Sequence, residues 1–366
     1  MVAVGPEVDL LLSLVETPSV SGDEHAIVAR LAAHMADRGF RVHVDEAGNV
    51  HGSVGPSEGG EIVLLGHVDT VPGEVPVRRD GDVLHGRGTV DAKGPLAAMV
   101  CAAERFARTG AAARVTVIGA VGEEADSPGA RHLLERSSPE ALIIGEPSGA
   151  HAVGIGYKGV FRFRARFTRP AAHTSSDQQT AAEAASEFWE ALRRRADTGR
   201  SAPLFDRTLP SLVRMDGDLE SATAEVSCRV PSNFDADAFA ALLEGLAGGA
   251  GIEVLEYVPA VRASRSNPVV RALSARIRER GGTPAAKLKL GTSDWNVVGA
   301  HWPVPTAAYG PGDSRLCHTA DERVDLTEYL ASIDILTGAL LGLAESMEPP
   351  VAAAGDVPIG IGGRTV

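Results

Sequence analysis

Apolar side chains recur at helical spacing through residues 6–39: Val8, Leu11, Leu12, Leu14 and Val15, then Ile27, Val28, Leu31 and Met35. Two amphipathic helices are predicted there. In SGDEHAIVARLAAHMADRGF, Ser21 stands three residues before Glu24, the spacing of a capping box, and Gly39 closes the run. RVHVDE, NVHGSV and EIVLLGHVDT read as strands separated by Gly, Asn and Ser turns. DAKGPLAAMVCAAERFART predicts a helix opened by Asp91 and closed near Gly110. RVTVIGAV then predicts a strand, SPGARHLLERS a helix and ALIIGEPSG a short strand. Strands alternating with helices imply a mostly parallel sheet covered on both faces.

The pattern changes after about residue 154. VFRFRARFT alternates strictly, with Phe161, Phe163, Ala165 and Phe167 on one face and Arg162, Arg164 and Arg166 on the other. One wet face is compatible with an antiparallel sheet, not with a buried parallel one. A helix over about 178–196, the strands SLVRMDG and SATAEVSCRVP, the helix DADAFAALLEGLA and the strand IEVLEYVP follow. That order is a ferredoxin-like split unit. A helix resumes at Asn267-Pro268, then come AAKLKLGTSDWNVVG, VPTAAYGPG and a last helix from about 325 to 346. The expected fold is α/β: a mostly parallel sheet domain, residues 1–154 and 263–348, with an inserted ferredoxin-like α+β domain at 155–262. The Pro/Gly-rich stretch 349–366 is read as a loose tail.

The composition, 366 residues with 44% hydrophobic and 23% charged, fits one large globular domain or two ordinary ones. A net charge of −13 without an acidic tail makes nucleic acid and anionic membrane poor partners. The first twenty residues lack a basic region and a cleavage site, and no apolar run reads as long enough to span a bilayer. Cys101, Cys228 and Cys317 are odd in number and form no CxxC, which suits a reducing cytoplasm.

Three predicted strands end in metal-ligating side chains: His67 and Asp69, Glu123 and Glu124, and Glu146. Asp91 opens a helix, and GPGDSRLCHTADE offers His318. In an open α/β sheet ligands bind at the carboxyl edge of the strands, so topology puts the strand-end groups on one rim. Adjacent carboxylates are costly unless one is protonated or a cation lies between them. Asp91, Glu124 and Glu146 with a hydroxide carry a charge that two divalent ions balance. The mixed ligand set suits Zn²⁺, with Co²⁺ or Mn²⁺ as substitutes. Asp69 is placed to orient the His67 ring. One of Glu123 and Glu124 would bind metal and the other move the proton, and the residues alone leave open which does which.

GHVDTVPG, GRGTVDAKGPLAA, VGEEADSPGAR, IIGEPSG and CHTADE, in this order, resemble the M20 family of dinuclear zinc amidohydrolases and peptidases. The resemblance implies a catalytic domain interrupted by a smaller domain that forms a homodimer. It implies that His67, Asp91 and Glu146 hold one zinc and Asp91, Glu124 and His318 the other, with Glu123 as the base. His173, in AAHTSS, matches a histidine lent across the dimer to the substrate carbonyl. YKGVFRFR, LGTSDWNVVG and AYGPGDSRLCHT resemble the branch that releases lysine or ornithine from the C-terminal glutamate side chain of a small amino-group carrier protein, with Gly291, Thr292 and Ser293 lining the pocket. Such carriers are acidic, so a local basic patch is expected to dock them. Arg162, Arg164 and Arg166, with Lys158 and Arg169 nearby, are the candidates, and Lys287 and Lys289 form a smaller pair. The competing substrate reading is a free N-acyl amino acid, of the acetylornithine or succinyl-diaminopimelate type, or a dipeptide. A non-catalytic binding protein is disfavoured by the intact ligand set, and a nucleotide site by the lack of a dinucleotide fingerprint or P-loop.

Overall fold

Glu61–His67, Arg114–Ala120 and Ala141–Ile144 are almost wholly buried, as strands covered on both faces must be. They form the parallel centre of a nine-stranded sheet. The computed structural model describes residues 2, 5–171, 173–197 and 201–347, so the tail expected at 349–366 lies outside the described residues. Thr306–Ala308 extends the parallel set, and Ala285–Lys289 pairs in parallel with Ala152–Tyr157. Arg41–Val44, Val50–Val54 and Val261–Arg262 join antiparallel. Helices Pro6–Val15, Lys93–Ala107, Pro268–Glu279 and Leu326–Met347 pack on one face around Leu11, Met99, Leu273 and Leu336. The other face is capped by Ala130, Leu133, Trp295 and Trp302. A small sheet of Arg78–Asp80, Val83–His85 and Arg323–Asp325 was not foreseen; its strands are three residues each, too short for a periodicity signal.

Between Ala152–Tyr157 and Val261–Arg262 the chain leaves to build a second, antiparallel sheet. Its strands Gly159–Thr168, Leu209–Gly217, Ser221–Val230 and Gly251–Val258 lie in the spatial order second, third, first, fourth. Helices Ala181–Asp197 and Ala236–Ala247 supply partners for Phe161, Phe163 and Phe167, which form its core.

Several local expectations are corrected. The second helix starts at His25 without a side-chain cap. The Ser21 hydroxyl instead donates to Asp69 Oδ2 at 2.6 Å, and Glu24 Oε1 accepts from the Gly22 amide. Asp91 does not open the next helix, which begins at Lys93. SPGARHLLERS forms only the short helix Pro128–His132 and a 3₁₀ turn at Leu133–Glu135. Leu326–Met347 is long and apolar enough, by length and composition, to cross a membrane. Here its Tyr329, Ile333, Leu336, Leu340 and Leu343 are built into the core.

The arginine face is not a free basic patch. Arg164 pairs with Glu225 at 2.7 Å and Glu253 at 3.3 Å, Arg166 with Glu253, and Arg162 with Glu256 at 3.3 Å. The acids stand on the flanking strands in register with the arginines, so the face neutralises itself. Lys158 is fully buried, and its ammonium donates to the Phe205, Leu204 and Arg207 carbonyls.

Candidate active site

Glu61–His67, Arg114–Ala120, Ala141–Ile144 and Thr306–Ala308 run in one direction and deliver their carboxyl ends to one rim, where the expected ligands meet, while Ala152–Tyr157 and Ala285–Lys289 run the opposite way. His67 ends Glu61–His67 with its ring 1% exposed. Its Nδ1 lies 3.0 Å from the Asp69 main-chain oxygen, and its Nε2 lies 3.3 Å from Asp91 Oδ1 and 4.0 Å from Glu146 Oε1. Donation from Nδ1 leaves Nε2 free as a ligand atom. Asp91 turns its other oxygen to His318 Nε2, at 3.3 Å, and that nitrogen lies 2.9 Å from Glu124 Oε1. Asp91 thus stands between two imidazoles and faces each with one oxygen. His318 sits in the left-handed region, at φ 63°, uncommon for a residue other than glycine. Three sets have ligand atoms mutually within 4.8 Å: His67, Asp91 and Glu146; Asp91, Glu124 and His318; and His67, Glu123 and Glu124.

Asp69 does more than face the His67 ring. It is fully buried, and its carboxylate accepts the main-chain N–H groups of Glu123 and Glu124, both at 3.0 Å. It therefore fixes the turn that aims both glutamates. The Glu123 carboxyl itself has no hydrogen-bond partner among the described residues.

The electrostatics report crowding. Burial and the Asp91 charge push Glu146 up to about 8. Burial and the Glu146 charge raise Glu123 well above the usual carboxylate range, against the pull of His67. Burial opposes charging His67, but Asp69 and Asp91 outweigh it and raise the ring's proton affinity. Asp91 raises His318 to about 9. Burial would raise Asp91, yet His318 and His67 hold it low. A cluster that must hold protons to tolerate itself, with nitrogen and oxygen atoms converging, has the donor chemistry of a divalent-metal site.

Three further residues were missed by sequence reasoning. Glu322, fully buried, accepts the amides of Gly88, Val90 and Asp91 at 3.0, 3.0 and 3.1 Å on one oxygen and Arg87 Nη1 at 2.7 Å on the other. It ties the His318 segment to the Asp91 segment. Its place four residues after His318 was visible, but its partners were not. Asp294 is buried, with the Ser127 hydroxyl as its nearby polar neighbour. Burial pushes it up to about 6. Tyr157 points its hydroxyl at Glu146 Oε2, at 3.5 Å.

The expected substrate contacts lie outside the cluster. His173 stands exposed on the second sheet's domain, its Nδ1 2.8 Å from Ser175 Oγ. Gly291 faces open space, and Thr292 Oγ1 accepts from Arg229 Nη1 at 3.2 Å. Ser293 occupies the cap position of helix Asp294–Val298, its amide donating to Asn296 Oδ1 at 2.9 Å.

The chain resembles known proteins along most of its length. The model of "Peptidase family M20/M25/M40" matches residues 63–342. The LysW-lysine hydrolase of Deinococcus radiodurans is 43% identical over 350 residues, covering 92% of this chain and 96% of that one. The LysW-lysine/LysW-ornithine hydrolase of Saccharolobus islandicus strain L.S.2.15 is 30% identical over 276 residues, 74% of this chain and 77% of its own. The aminopeptidase PepT of Bacillus cereus superposes with a TM-score of 0.78 at 19% identity, covering 93% of this chain and 98% of that one, a likeness of fold. With the family model spanning most of the chain and a relative 43% identical over nearly its whole length, this protein belongs to peptidase family M20/M25/M40, a family of metal-dependent hydrolases.

Proposed function

We propose that this protein is a two-zinc amidohydrolase that frees lysine, ornithine or a related diamino acid from a small amino-group carrier protein. The bond cut joins the amino acid's α-amine to the side-chain carboxyl of the carrier's C-terminal glutamate. One observation carries the reading: Asp91 lies between His67 and His318 with Glu123 beside them, in a chain whose curated relatives are named for LysW-bound lysine or ornithine.

His67, Asp91 and Glu146 would hold one metal ion and Asp91, Glu124 and His318 the other. Such a pair supplies an acidified water and a polarised carbonyl. Glu123 takes the proton that water releases as its oxygen bonds to the amide carbon. When the C–N bond breaks, Glu123 returns the proton to the leaving α-amine. Asp69 keeps Glu123 aimed through the turn amides, and Asp91 and Glu322 hold the opposite wall. Gly291, Thr292 and Ser293, outside the metal-ligand cluster, would line the pocket for the part of the substrate beyond the scissile bond. The protein works in the cytoplasm as a homodimer, in which the inserted domain carries His173 to the partner's substrate carbonyl.

Carrier loaded with lysine or ornithine, incubated with the enzyme, should lose the mass of that residue in an intact-mass spectrum. An unchanged carrier alongside cleaved acetylornithine would refute the substrate assignment. Glu123→Gln should keep its metal and lose about 10²–10⁴ in kcat, whereas Glu124→Gln should also lose metal. His173→Ala should be inactive alone and recover activity in mixed dimers with Glu123→Gln. Without that recovery, the histidine does not act across the dimer.

A further inference from the structure

A groove of about 1060 Å³ runs between helices Pro268–Glu279 and Leu326–Met347, beside the start of strand Ala285–Lys289. Arg265, Arg271, Arg276 and Arg278 line it, Val153 and Leu343 contribute apolar surface, and among the described residues no carboxylate lines it. Arg276 is paired with Glu279 at 2.6 Å. Arg265, Arg271 and Arg278 are exposed, and their guanidinium groups have no hydrogen-bond or ion-pair partner among the described residues. On a chain of net charge −13, a groove whose Arg265, Arg271 and Arg278 meet no acid among the described residues contrasts with the arginine face of the inserted domain, where Arg162, Arg164 and Arg166 each pair with a glutamate.

The groove adjoins the strand that leads toward the candidate metal ligands. Ala285 and Ala286 line it, and further along the same strand the ammonium groups of Lys287 and Lys289 donate to the Ser148 and Pro147 carbonyls, both at 2.6 Å. Those carbonyls directly follow Glu146. A second cavity of about 560 Å³ shares Ala285 with the groove and is also lined by Lys287, Ser148 and Glu328, whose carboxylate accepts the Ala150 and Gly312 amides. Strands rise about 3.3 Å per residue, so groove and ligand loop lie within roughly 15 Å along one strand. An extended segment of about five residues spans that distance.

We propose that this groove docks an acidic protein: the carrier that bears the substrate, a step that rests on the functional reading above. Carboxylates of the carrier's folded body meet Arg265, Arg271 and Arg278, and its substrate-bearing end runs along Ala285–Lys289 to the metal ligands. The apolar floor suits protein side chains, and the strongly negative whole-molecule charge opposes a long nucleic acid. Charge complementarity of this kind acts on encounter and affinity rather than on the chemical step.

The test reverses the charges singly and together, Arg265→Glu, Arg271→Glu and Arg278→Glu, with Arg→Gln companions at the same positions. Two quantities are read: KM and kcat on lysine-loaded carrier and on a small N-acyl-lysine, and anisotropy of labelled carrier binding to otherwise inactive Glu123→Gln at two salt concentrations. The triple reversal is expected to raise the carrier KM about tenfold or more and to flatten the salt dependence of binding. Turnover of the small substrate should be unchanged. Equal loss on both substrates, or a carrier KM that does not move, overturns the docking surface while leaving the hydrolase reading in place. Carrier that binds through these arginines but is never cleaved keeps the surface and sinks the hydrolase reading. Carrier that neither binds nor is cleaved sinks both. A change in sedimentation with carrier affinity intact assigns the groove to a second copy of this chain and overturns the proposal.

Discussion

Glu322 is an instance of a single side chain doing positional work for a residue, the proposed metal ligand Asp91, whose carboxylate it never faces. Three amides and a guanidinium converge on a carboxylate without solvent access. Charge-assisted hydrogen bonds of this type are about twice as strong as neutral ones. Glu322→Gln keeps an acceptor but removes the charge, so the segment carrying Asp91 loosens. Zinc affinity is expected to fall about 10–100-fold, the usual cost of losing an outer-shell partner. Competition with a chromophoric chelator measures it, and the visible spectrum of the Co²⁺ form should change as well. A variant that holds zinc as tightly as its parent would mean that Asp91 needs no such support. Asp69 is legible in sequence as a neighbour of His67. That its carboxylate mainly grips the Glu123–Glu124 turn was not, because those amides lie more than fifty residues away.

At the scale of elements, the turn Val121–Gly129 matters most, since it presents Glu123 and Glu124. Asn49, on the hairpin between Arg41–Val44 and Val50–Val54, accepts the Val121 amide at 3.1 Å and donates to the Gly129 carbonyl at 3.1 Å. One buried amide therefore staples both ends of the turn. Gly129 is obligatory for that approach: a Cβ there would stand 2.3 Å from Asn49 Oδ1 and 2.6 Å from the Val121 nitrogen. Gly129→Ala should lose about 1–3 kcal/mol from overpacking, read from urea unfolding, and metal binding through Glu124 should weaken with it. Unchanged stability would show that the hairpin yields freely. In the inserted domain, charge reversal at Arg164 is expected to lower thermal stability by breaking its contacts with Glu225 and Glu253, with no selective effect on carrier-bound substrate. A selective rise in carrier KM would restore that face as a docking site.

For the molecule as a whole, metal content, pH and stability are linked. With no ion bound, Glu146 at about 8 and His318 at about 9 hold protons at neutral pH. A metal must displace those protons, so affinity should rise from pH 6 to pH 9 with proton release. Zinc titrations in buffers of different ionisation enthalpy measure this, and a pH-independent affinity would contradict it. Chelation should lower the melting temperature, because an ion present at a hundredfold its Kd adds about 2.7 kcal/mol. A second linkage lies far from the site. Burial would raise Glu61, but the Thr116 hydroxyl and the Arg136 and Arg114 charges outweigh it and hold it below 4.5. Its folded proton affinity is lower than its unfolded one. The contribution is therefore complete above the ordinary carboxylate range and is lost as pH falls through the folded value. The melting temperature should drop below about pH 4, and less steeply in Glu61→Gln. Parallel profiles for the two proteins would assign the acid loss to other groups.

Hydrophobic periodicity by itself determined the alternating strand–helix order, the antiparallel inserted unit and the rim on which His67, Glu124 and Glu146 would appear. These follow from local patterning and from a rule of open parallel sheets. The motif order identified the family, and the residue types at the strand ends named the chemistry. Tertiary structure alone decided which partners each charge acquired. The Ser21 hydroxyl went to Asp69 rather than to a helix end, Asp91 to two imidazoles rather than to a cap, and the arginine face to glutamates on neighbouring strands. It also left the guanidinium groups of Arg265, Arg271 and Arg278 without a partner among the described residues, beside a groove. Backbone conformation is selected mainly by near neighbours, whereas a side-chain charge is settled by whatever the fold brings within a few ångströms, and sequence distance does not encode that.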